Sequence, residues 1–420
     1  MAVILRGPRS ARPPQDDGKA RVAAPGLLWQ AAIMSRRRIA RFLLRAATIV
    51  IVVCPVLDAP AGAQPADRAA MSDYLSASRA YDERAEGYWR AVSEKRRIRN
   101  EKRRNNEPIA LEDYVLDQPP VYSGPPRPPV PPTPGEPRRP EMPVVADFLR
   151  HAAKEFGFVP RRPTSEAEFK RAYARAALDV GLTREQAVGV YAFETAGVGA
   201  YDTQAGLLFG GKRAISPALG YNQLLSTNTV GLLAEHGETL LGLMSERARS
   251  AEGIAKAALL GKLDALQRMI AFSRTVPNRW SDHDRLAKTT PGGMGIHAAV
   301  LDLDLGPWLQ ARKLVTSVLF AKARGFRQTL TSAELELMNF TGDGNGFDMV
   351  SMPDALRRRV PTSNFFQQEG YERNPVARRT GVVAALVADI AARAERGKRA
   401  AGAQELDAAF AAVEGAARGR

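Results

Sequence analysis

The apolar positions in the first part of this chain repeat at the spacing of a helix. Between residues 71 and 104, Tyr74, Tyr81 and Tyr88 recur at intervals of seven, which predicts one long amphipathic helix. The helix ends in the basic run 95–104, KRRIRNEKRR. This run either holds an anionic envelope surface or wall polymer, or forms a solvated face while the tyrosines pack on the neighbouring domain. Dimerisation through the helix is a further alternative.

Helical periodicity also dominates the long region 144–400, in which alternating runs are few and short. A Ser or Thr that precedes a Glu or Gln by three positions predicts a helix start. Such residues are Ser165, Thr183 and Thr331. The stretch 197–223, rich in glycine and β-forming residues, predicts a hairpin or irregular structure. The predicted fold class is therefore mainly α with a small β-element, and residues 236–330 are interpreted as a helical insertion.

A basic segment followed by an apolar segment indicates export. Residues 36–45 contain five arginines, and residues 46–57 form an apolar run of 12 residues. With the small residues that follow, they match a secretory signal peptide over residues 34–63, cleaved after Ala63. An uncleaved anchor is the alternative, but a spanning helix needs about 20 apolar residues. Residues 1–33 have no place in such a signal and are interpreted as an upstream extension that results from a fusion or a start-site error.

Charge and cysteine content narrow the classes of function. The 420-residue chain has a formal charge of +15, and loss of residues 1–63 lowers it to +8, which favours an anionic partner. Nucleic acid is not expected, because export to the periplasm or cell envelope separates the protein from it. The one cysteine, Cys54, lies in the predicted signal, so the mature chain has no disulfide and no cysteine nucleophile. Four scattered histidines fit no metal site, and no cofactor is predicted.

Composition predicts four regions after the signal. Residues 64–117 form the basic helical region. Residues 118–143 form a Pro-rich linker, because 12 of them are proline, and extended polyproline of ~3.1 Å per residue acts as a semi-rigid spacer. The main domain is predicted over residues 144–400, and an Ala-rich tail over residues 401–420.

An acidic residue stands where one predicted helix ends. The helix that starts at Thr183 reads TREQAVGVYAFET and then meets a glycine-rich break, which places Glu194 in its last turn. Ala187, Val190 and Tyr191 lie on the same face as Glu194. Apolar surroundings and the negative end of the helix dipole both raise the pKa of a carboxyl group, as a general acid requires. The alternative is an exposed residue at a fraying helix end.

The residues around and after Glu194 resemble the lytic transglycosylase and goose-type lysozyme domains of the lysozyme-like superfamily. That family has a Glu-Ser pair at a helix end, then a Ser-x-x-Gly-Ala-x-Gly-Leu-Met-Gln cleft wall, then an Ala-Tyr-Asn-x-Gly segment. The matching residues here are Glu194 and Thr195; Ser216, Gly220, Tyr221, Asn222 and Gln223; and Asn339 and Gly342. The resemblance departs at Asn222, which replaces a methionine, and at Met338, which replaces a tyrosine.

The resemblance implies an activity and roles for these residues. Glu194 would be the single acid/base that cleaves the bond between N-acetylmuramic acid and N-acetylglucosamine in peptidoglycan glycan strands and closes a 1,6-anhydro ring. The residues implied to bind the sugars are Thr195, Ser216, Gly220, Tyr221, Gln223 and Asn339. Tyr221 and Phe340 either stack on sugars or belong to the core, and Asn339 either lines the cleft or caps its helix. Tyr221 and Tyr371 are the candidates for the missing tyrosine.

Two further alternatives stay open at this stage. Hydrolysis of the glycosidic bond normally needs a second carboxylate, and Asp202 is the nearest in sequence, although it equally fits a turn. The departures at Asn222 and Met338 also allow a non-catalytic protein that binds peptidoglycan or assembles the envelope with a degenerate cleft. The predicted activity is lytic transglycosylation by an exported enzyme.

Overall fold

A computed structural model of this chain describes residues 65–105, 107–129 and 141–418. The predicted upstream extension, the signal peptide and part of the Pro-rich linker lie outside the described residues. Residues Ser72–Arg420 form one compact unit, and all contacts below lie within it. No helix among the described residues is long and apolar enough to cross a membrane.

Sixteen α-helices contain most of the described residues, which confirms the mainly α prediction. The helices are α1 Pro65–Arg104, α2 Val145–Phe156, α3 Glu166–Asp179, α4 Arg184–Thr195, α5 Ser226–Ser250, α6 Gly253–Ser273, α7 Trp280–Thr289, α8 Pro291–Ile296, α9 Gly306–Ala323, α10 Ser332–Thr341, α11 Asp343–Val350, α12 Asp354–Arg357, α13 Gln368–Glu372, α14 Pro375–Thr380, α15 Val383–Lys398 and α16 Ala401–Arg418. Short 3₁₀ turns occupy residues 111–113, 208–210, 297–301 and 362–365.

The three predicted helix starts are confirmed. The side chains of Ser165, Thr183 and Thr331 each accept a hydrogen bond from the backbone N–H three residues later, at the first turns of α3, α4 and α10. Two of these helices, α4 and α10, carry the residues of the candidate site. The N-terminal ends of these helices are therefore determined locally. At each of them a side chain accepts a hydrogen bond from a backbone N–H that would otherwise be unpaired.

The stretch predicted as a small β-element forms no strand among the described residues. It contains two isolated antiparallel bridges, Gln204 with Leu219 and Leu219 with Leu224. Gly220 and Gln223 have positive φ angles of 79° and 43°, which reverse the chain before a ladder can extend. This segment is therefore a compact loop that packs on the helices.

Two apolar cores hold the helices. The first is surrounded by α3, α4, α9, α10, α15 and α16, and the second by α2 and α5 to α8. Leu406 and Phe410 of α16 are fully buried in the first core. Residues 401–418, predicted as a tail beyond the domain, therefore belong to it, because an Ala-rich helix presents an apolar face that α3 and α4 cover.

Helix α1 packs on the main domain through its aromatic face. Trp89 and Val92 are buried against Tyr371, and the hydroxyl groups of Tyr88 and Ser363 lie 2.6 Å apart. Tyr122, in the first part of the predicted linker, packs edge-on against Tyr81 of α1, at 5.7 Å between ring centroids. The predicted boundary at residue 117 therefore does not separate two independent bodies.

The basic run at the end of α1 is partly internal. Arg99 is fully buried and donates to the carbonyl oxygens of Asp113 and Asn364, at 2.8 and 3.0 Å. Its guanidinium lies over the Tyr114 ring, 4.5 Å from the centroid. Burial lowers the pKa of Arg99 to about 10, so it stays charged at neutral pH. Arg103 pairs with Asp348. These two cations serve the fold.

Candidate active site

Glu194 occupies the last turn of α4, as predicted. The next residue, Thr195, is fully buried, and its Oγ1 donates to the Tyr191 carbonyl oxygen at 2.7 Å. Ala196 then ends the helix in the left-handed region, with φ of 52°, and Gly197 follows with φ of 73°. The chain turns away from the helix axis at once, so Glu194 keeps partial access to solvent although protein surrounds it.

Close packing of α4 against α10 determines what Glu194 meets. A methyl group at Gly189 would overlap the side chain of Ser332, at the start of α10. The backbone N–H and the hydroxyl of Ser332 donate to Glu185, at 3.1 and 2.6 Å. Because both helices run in the same direction from this contact, the end of α4 lies beside the middle of α10. Glu194 therefore meets Glu336 and Asn339.

Glu194, Glu336 and Asn339 form one polar cluster. The amide of Asn339 donates to Glu194 Oε1 at 3.1 Å. The carboxyl of Glu336 is fully buried and within hydrogen-bonding contact of the Glu194 carboxyl. Neither oxygen of Glu336 receives a hydrogen bond of good geometry from another described residue. Two carboxyl groups in contact disfavour double ionisation, so at least one of the two stays protonated.

The pKa values of both carboxyl groups are raised. Burial raises the pKa of Glu194 to about 7, while hydrogen bonds with Glu336 and Asn339 oppose that rise. Burial also raises the pKa of Glu336 well above its usual range, and the negative charge of Glu194 raises it further. Both carboxyl groups therefore hold a proton up to higher pH than an isolated glutamate does.

The close approach at Gly189 can be tested by a single methyl group. We expect Gly189→Ala to lower the free energy of unfolding by about 1–3 kcal/mol, because the added methyl overlaps Ser332. Gly242→Ala, on the exposed side of α5 with no atom within 4 Å of the new methyl, is expected to raise it by about 0.5–1 kcal/mol. Urea unfolding of the two variants measures both. Equal shifts of the same sign would contradict the close helix contact.

Most residues predicted to bind sugars make hydrogen bonds or close contacts inside the protein. The Gln223 amide donates to the carbonyl oxygens of Thr203 and Gly220, at 3.1 and 2.8 Å. Gly220 lies against the Gln310 side chain, which leaves no room for a methyl group. Ser216 accepts a hydrogen bond from the backbone of a neighbouring residue. The close approach expected at Gly220 is therefore to Gln310.

Tyr221 belongs to the core. It is fully buried, its hydroxyl donates to Glu166, and its ring packs edge-on against Tyr173 and Tyr191, at 5.2 and 4.7 Å between centroids. Thr195 is likewise buried. Of the residues predicted to bind sugars, all of which the structure describes, Asn339 alone donates a hydrogen bond to Glu194.

Tyr371, a candidate for the missing tyrosine, and Asp202, the candidate second carboxylate, contact residues outside the acidic cluster. Tyr371 packs on Trp89 of α1, at 5.6 Å between centroids, and Asp202 pairs with Arg162. Asn222, the polar departure from the family pattern, accepts a hydrogen bond from the Tyr173 hydroxyl at 2.9 Å. Its amide also donates to a backbone carbonyl of α9 at 2.9 Å. That departure is thus satisfied inside the protein.

Aromatic side chains flank the acidic cluster. Phe193 precedes Glu194, and Phe340 follows Asn339; their rings pack edge-on with centroids 6.4 Å apart. Phe340 also packs against Phe366, at 6.1 Å. All three phenylalanines are partly exposed. These rings therefore form a partly exposed apolar surface at residues next in sequence to Glu194 and Asn339.

His297 and a pocket beside α6 lie apart from this cluster. Burial lowers the pKa of His297 to about 4, and its ring bonds Thr229 and the Pro217 carbonyl, both at 2.8 Å. No group of three or more potential ligands is placed to hold a metal in the part of the chain that the structure describes. A pocket of about 530 Å³, lined by Arg161, Lys262 and apolar residues of α6, shares no residue with the acidic cluster.

Glu336 was missed by the sequence analysis. It lies 142 positions after Glu194, and only the packing of α4 on α10 brings them together. The sequence did contain one signal. Glu336 is an ionisable residue among the apolar residues Leu335, Leu337 and Met338, which are buried, and it lies one helical turn before Asn339. Comparisons of this chain with protein-family models, curated proteins and solved structures find no match. Its function is therefore inferred from the site.

Proposed function

We propose that this protein is an exported peptidoglycan lytic transglycosylase in which Glu194 is the single acid/base residue. The observation that carries the proposal is the Glu194 carboxyl itself, partly exposed, bonded by Asn339 and with its pKa raised to about 7. A carboxyl with a pKa near the working pH can both donate and accept a proton. We also propose that the helices are arranged as in the lysozyme-like superfamily. In that arrangement the loop 204–224, with its two β-bridges, takes the place of the small β-element.

In the reaction Glu194 donates one proton and then accepts another. Protonated Glu194 gives its proton to the oxygen that joins N-acetylmuramic acid to N-acetylglucosamine, and that glycosidic bond breaks. The Glu194 carboxylate then accepts the proton of the muramoyl 6-hydroxyl as that oxygen bonds to the anomeric carbon. The product is a 1,6-anhydro ring, and Glu194 regains its starting state. Asn339 orients the carboxyl through its amide.

The separation of the carboxyl groups favours this reaction over hydrolysis. Retaining and inverting hydrolases keep two carboxyl groups about 5 Å or more apart, which leaves room for the sugar or a water molecule. Glu336 is in direct contact with Glu194, too close for that role. Asp202 is held by Arg162. A single acid that ends in ring closure needs no second carboxylate.

The first experiment is mass spectrometry of the soluble products formed when purified residues 64–420 act on peptidoglycan sacculi. We expect muropeptides that end in 1,6-anhydromuramic acid. Reducing ends would instead indicate hydrolysis and overturn the single-acid mechanism. Protein that stays bound to sacculi without releasing products would overturn the enzymatic proposal.

A non-catalytic role in peptidoglycan binding or envelope assembly is the second candidate. It is favoured by the internal roles of Gly220, Tyr221 and Gln223, which leave fewer side chains to hold a sugar. Co-sedimentation with sacculi, with no release of muropeptides, is the result that would select it.

We also propose that an anionic envelope surface contacts the far end of α1. Asn100, Arg103, Arg104 and Arg324 line a pocket of about 430 Å³ there. Arg104 and Arg324 are exposed, while Arg103 is paired with Asp348. The cations of the proposed surface are therefore Arg104 and Arg324 rather than all the basic residues of the run 95–104.

Two substitutions test this surface. We expect Arg104→Gln with Arg324→Gln to weaken binding to vesicles of anionic phospholipid by roughly 30-fold at low salt, because each surface cation contributes ~1 kcal/mol. Arg97→Gln is the control, since Arg97 pairs with Glu94 at 2.6 Å, and it should change binding less. Sedimentation with vesicles at rising salt measures the effect. Binding that neither salt nor the double substitution changes would contradict the proposal.

A further inference from the structure

We propose that Glu336 is a positioning residue that keeps its own proton throughout the reaction and donates it to the Glu194 carboxylate as a fixed hydrogen bond. This inference rests on the proposed function of Glu194. It assigns to Glu336 a role that is neither acid, base nor nucleophile. Its chemistry is that of a neutral donor, although the residue is a carboxylic acid.

Burial and the absence of other donors argue that Glu336 is protonated. The side chain is fully buried, and among the described residues neither of its oxygens receives a hydrogen bond of good geometry. The Asn339 amide lies near both carboxyl groups and has good geometry to Glu194. An ionised carboxylate without a donor is costly in such a place. A protonated one is not, and the Glu194 carboxylate is the acceptor it meets.

The charged groups on the neighbouring helices are consistent with a protonated Glu336. From α9, Lys313 acts on Glu336 and also lies 3.8 Å from Asp343 of α11. Asp343 accepts a hydrogen bond from Ser317 at 2.6 Å. From α15, Lys398 pairs with Glu185 at 3.3 Å, at the opposite end of the α4–α10 contact. Lys313, which acts on Glu336, is therefore shared with the Asp343 carboxylate.

The proton balance of the pair follows from these contacts. Before reaction the pair holds two protons, one on each carboxyl. Glu194 gives one to the glycosidic oxygen, and the Glu336 hydroxyl then donates to the Glu194 carboxylate that remains. When the muramoyl 6-hydroxyl returns a proton to Glu194, the pair again holds two. Glu336 never exchanges a proton with substrate, so an amide can replace it.

Two variants at one position separate the donor role from chemistry. We expect Glu336→Gln, which keeps an N–H donor, to retain activity within about threefold, and Glu336→Ala to lose roughly tenfold or more. The acidic group that controls the pH–rate profile should keep its midpoint in Glu336→Gln. In Glu336→Ala the midpoint should move to higher pH, since a donor that stabilises ionised Glu194 is gone. Glu369→Gln, on an exposed helix, is the control.

A spectroscopic readout keeps this inference apart from the proposed function. At pH 8 the infrared carbonyl band of a protonated carboxylic acid should be present in the wild-type protein and lost in Glu336→Gln. The band does not depend on catalysis, so it tests the inference even if no muropeptides are released. Absence of the band, or a Glu336→Gln variant as inactive as Glu194→Gln, would overturn the assignment. The second result would make Glu336 a chemical participant.

Discussion

Glu194→Gln is expected to lose about 10²–10⁴-fold in the release of 1,6-anhydromuropeptides, because it removes the one group that moves a proton to and from substrate. The substitution keeps the size of the side chain and can still bond to Asn339 and Glu336. Folding should therefore be unaffected, and the loss should fall on the chemical step. Initial rates on sacculi, with binding measured separately by co-sedimentation, test this.

Asp202→Asn is the matched control for that substitution. It too converts an acid to an amide, eight positions further along the chain, and Asp202 pairs with Arg162 rather than with the cluster. We expect it to keep its activity. A Glu194→Gln variant that works at the wild-type rate, or an Asp202→Asn variant that is inactive, would contradict the assignment of the acid.

The stability of Glu194→Gln should depend on pH less than the stability of the wild-type protein does. The pKa of Glu194 is raised in the folded state, from 4.5 to about 7, so the folded protein retains a proton that the unfolded chain releases. The contribution of Glu194 to the free energy of unfolding of the wild type is therefore lost as pH rises from about 4.5 to 7. Glu194→Gln lacks this loss and should be more stable than wild type at pH 8, by about 3 kcal/mol at most. At pH 4 the two should be alike, as urea unfolding at both pH values would establish.

Local sequence patterns were sufficient for three helix starts and for the position of Glu194 in the last turn of its helix. Three Ser and Thr residues marked helix starts because a cap is an interaction between neighbours in sequence. Glu194 was identifiable because its apolar neighbours and the glycine-rich break lie within a few residues of it. Its raised pKa was likewise expected from those neighbours.

The partners of Glu194 depend on helix packing, which local patterns do not report. Gly189 signals no contact by its sequence context, yet it permits the approach of α4 to α10 that brings Glu336 in. The loop 204–224 illustrates a second limit of local patterns. Its residues resemble a sugar-binding wall, but Tyr221 and Gln223 are held by Glu166 and by backbone carbonyls. A short pattern does not say which side of a loop faces solvent.

Arg99→Ala is expected to lower the free energy of unfolding by about 2–4 kcal/mol, although Arg99 lies in a run that reads as a solvated basic face. The substitution leaves a cavity beside Tyr114 and removes the donor to the Asp113 carbonyl oxygen. The Asn364 carbonyl oxygen keeps only a 3.2 Å bond from Arg96.

Arg97→Ala is the control for Arg99→Ala, because its side chain is 64% exposed and pairs only with neighbours on α1. Such a surface pair contributes about 0–1 kcal/mol. Urea unfolding should therefore separate two arginines that stand two positions apart. The difference matters for the site, since the segment that receives Arg99 continues into Phe366, which packs on Phe340 beside Asn339. Equal, small effects of the two substitutions would mean that α1 contributes little to holding that segment.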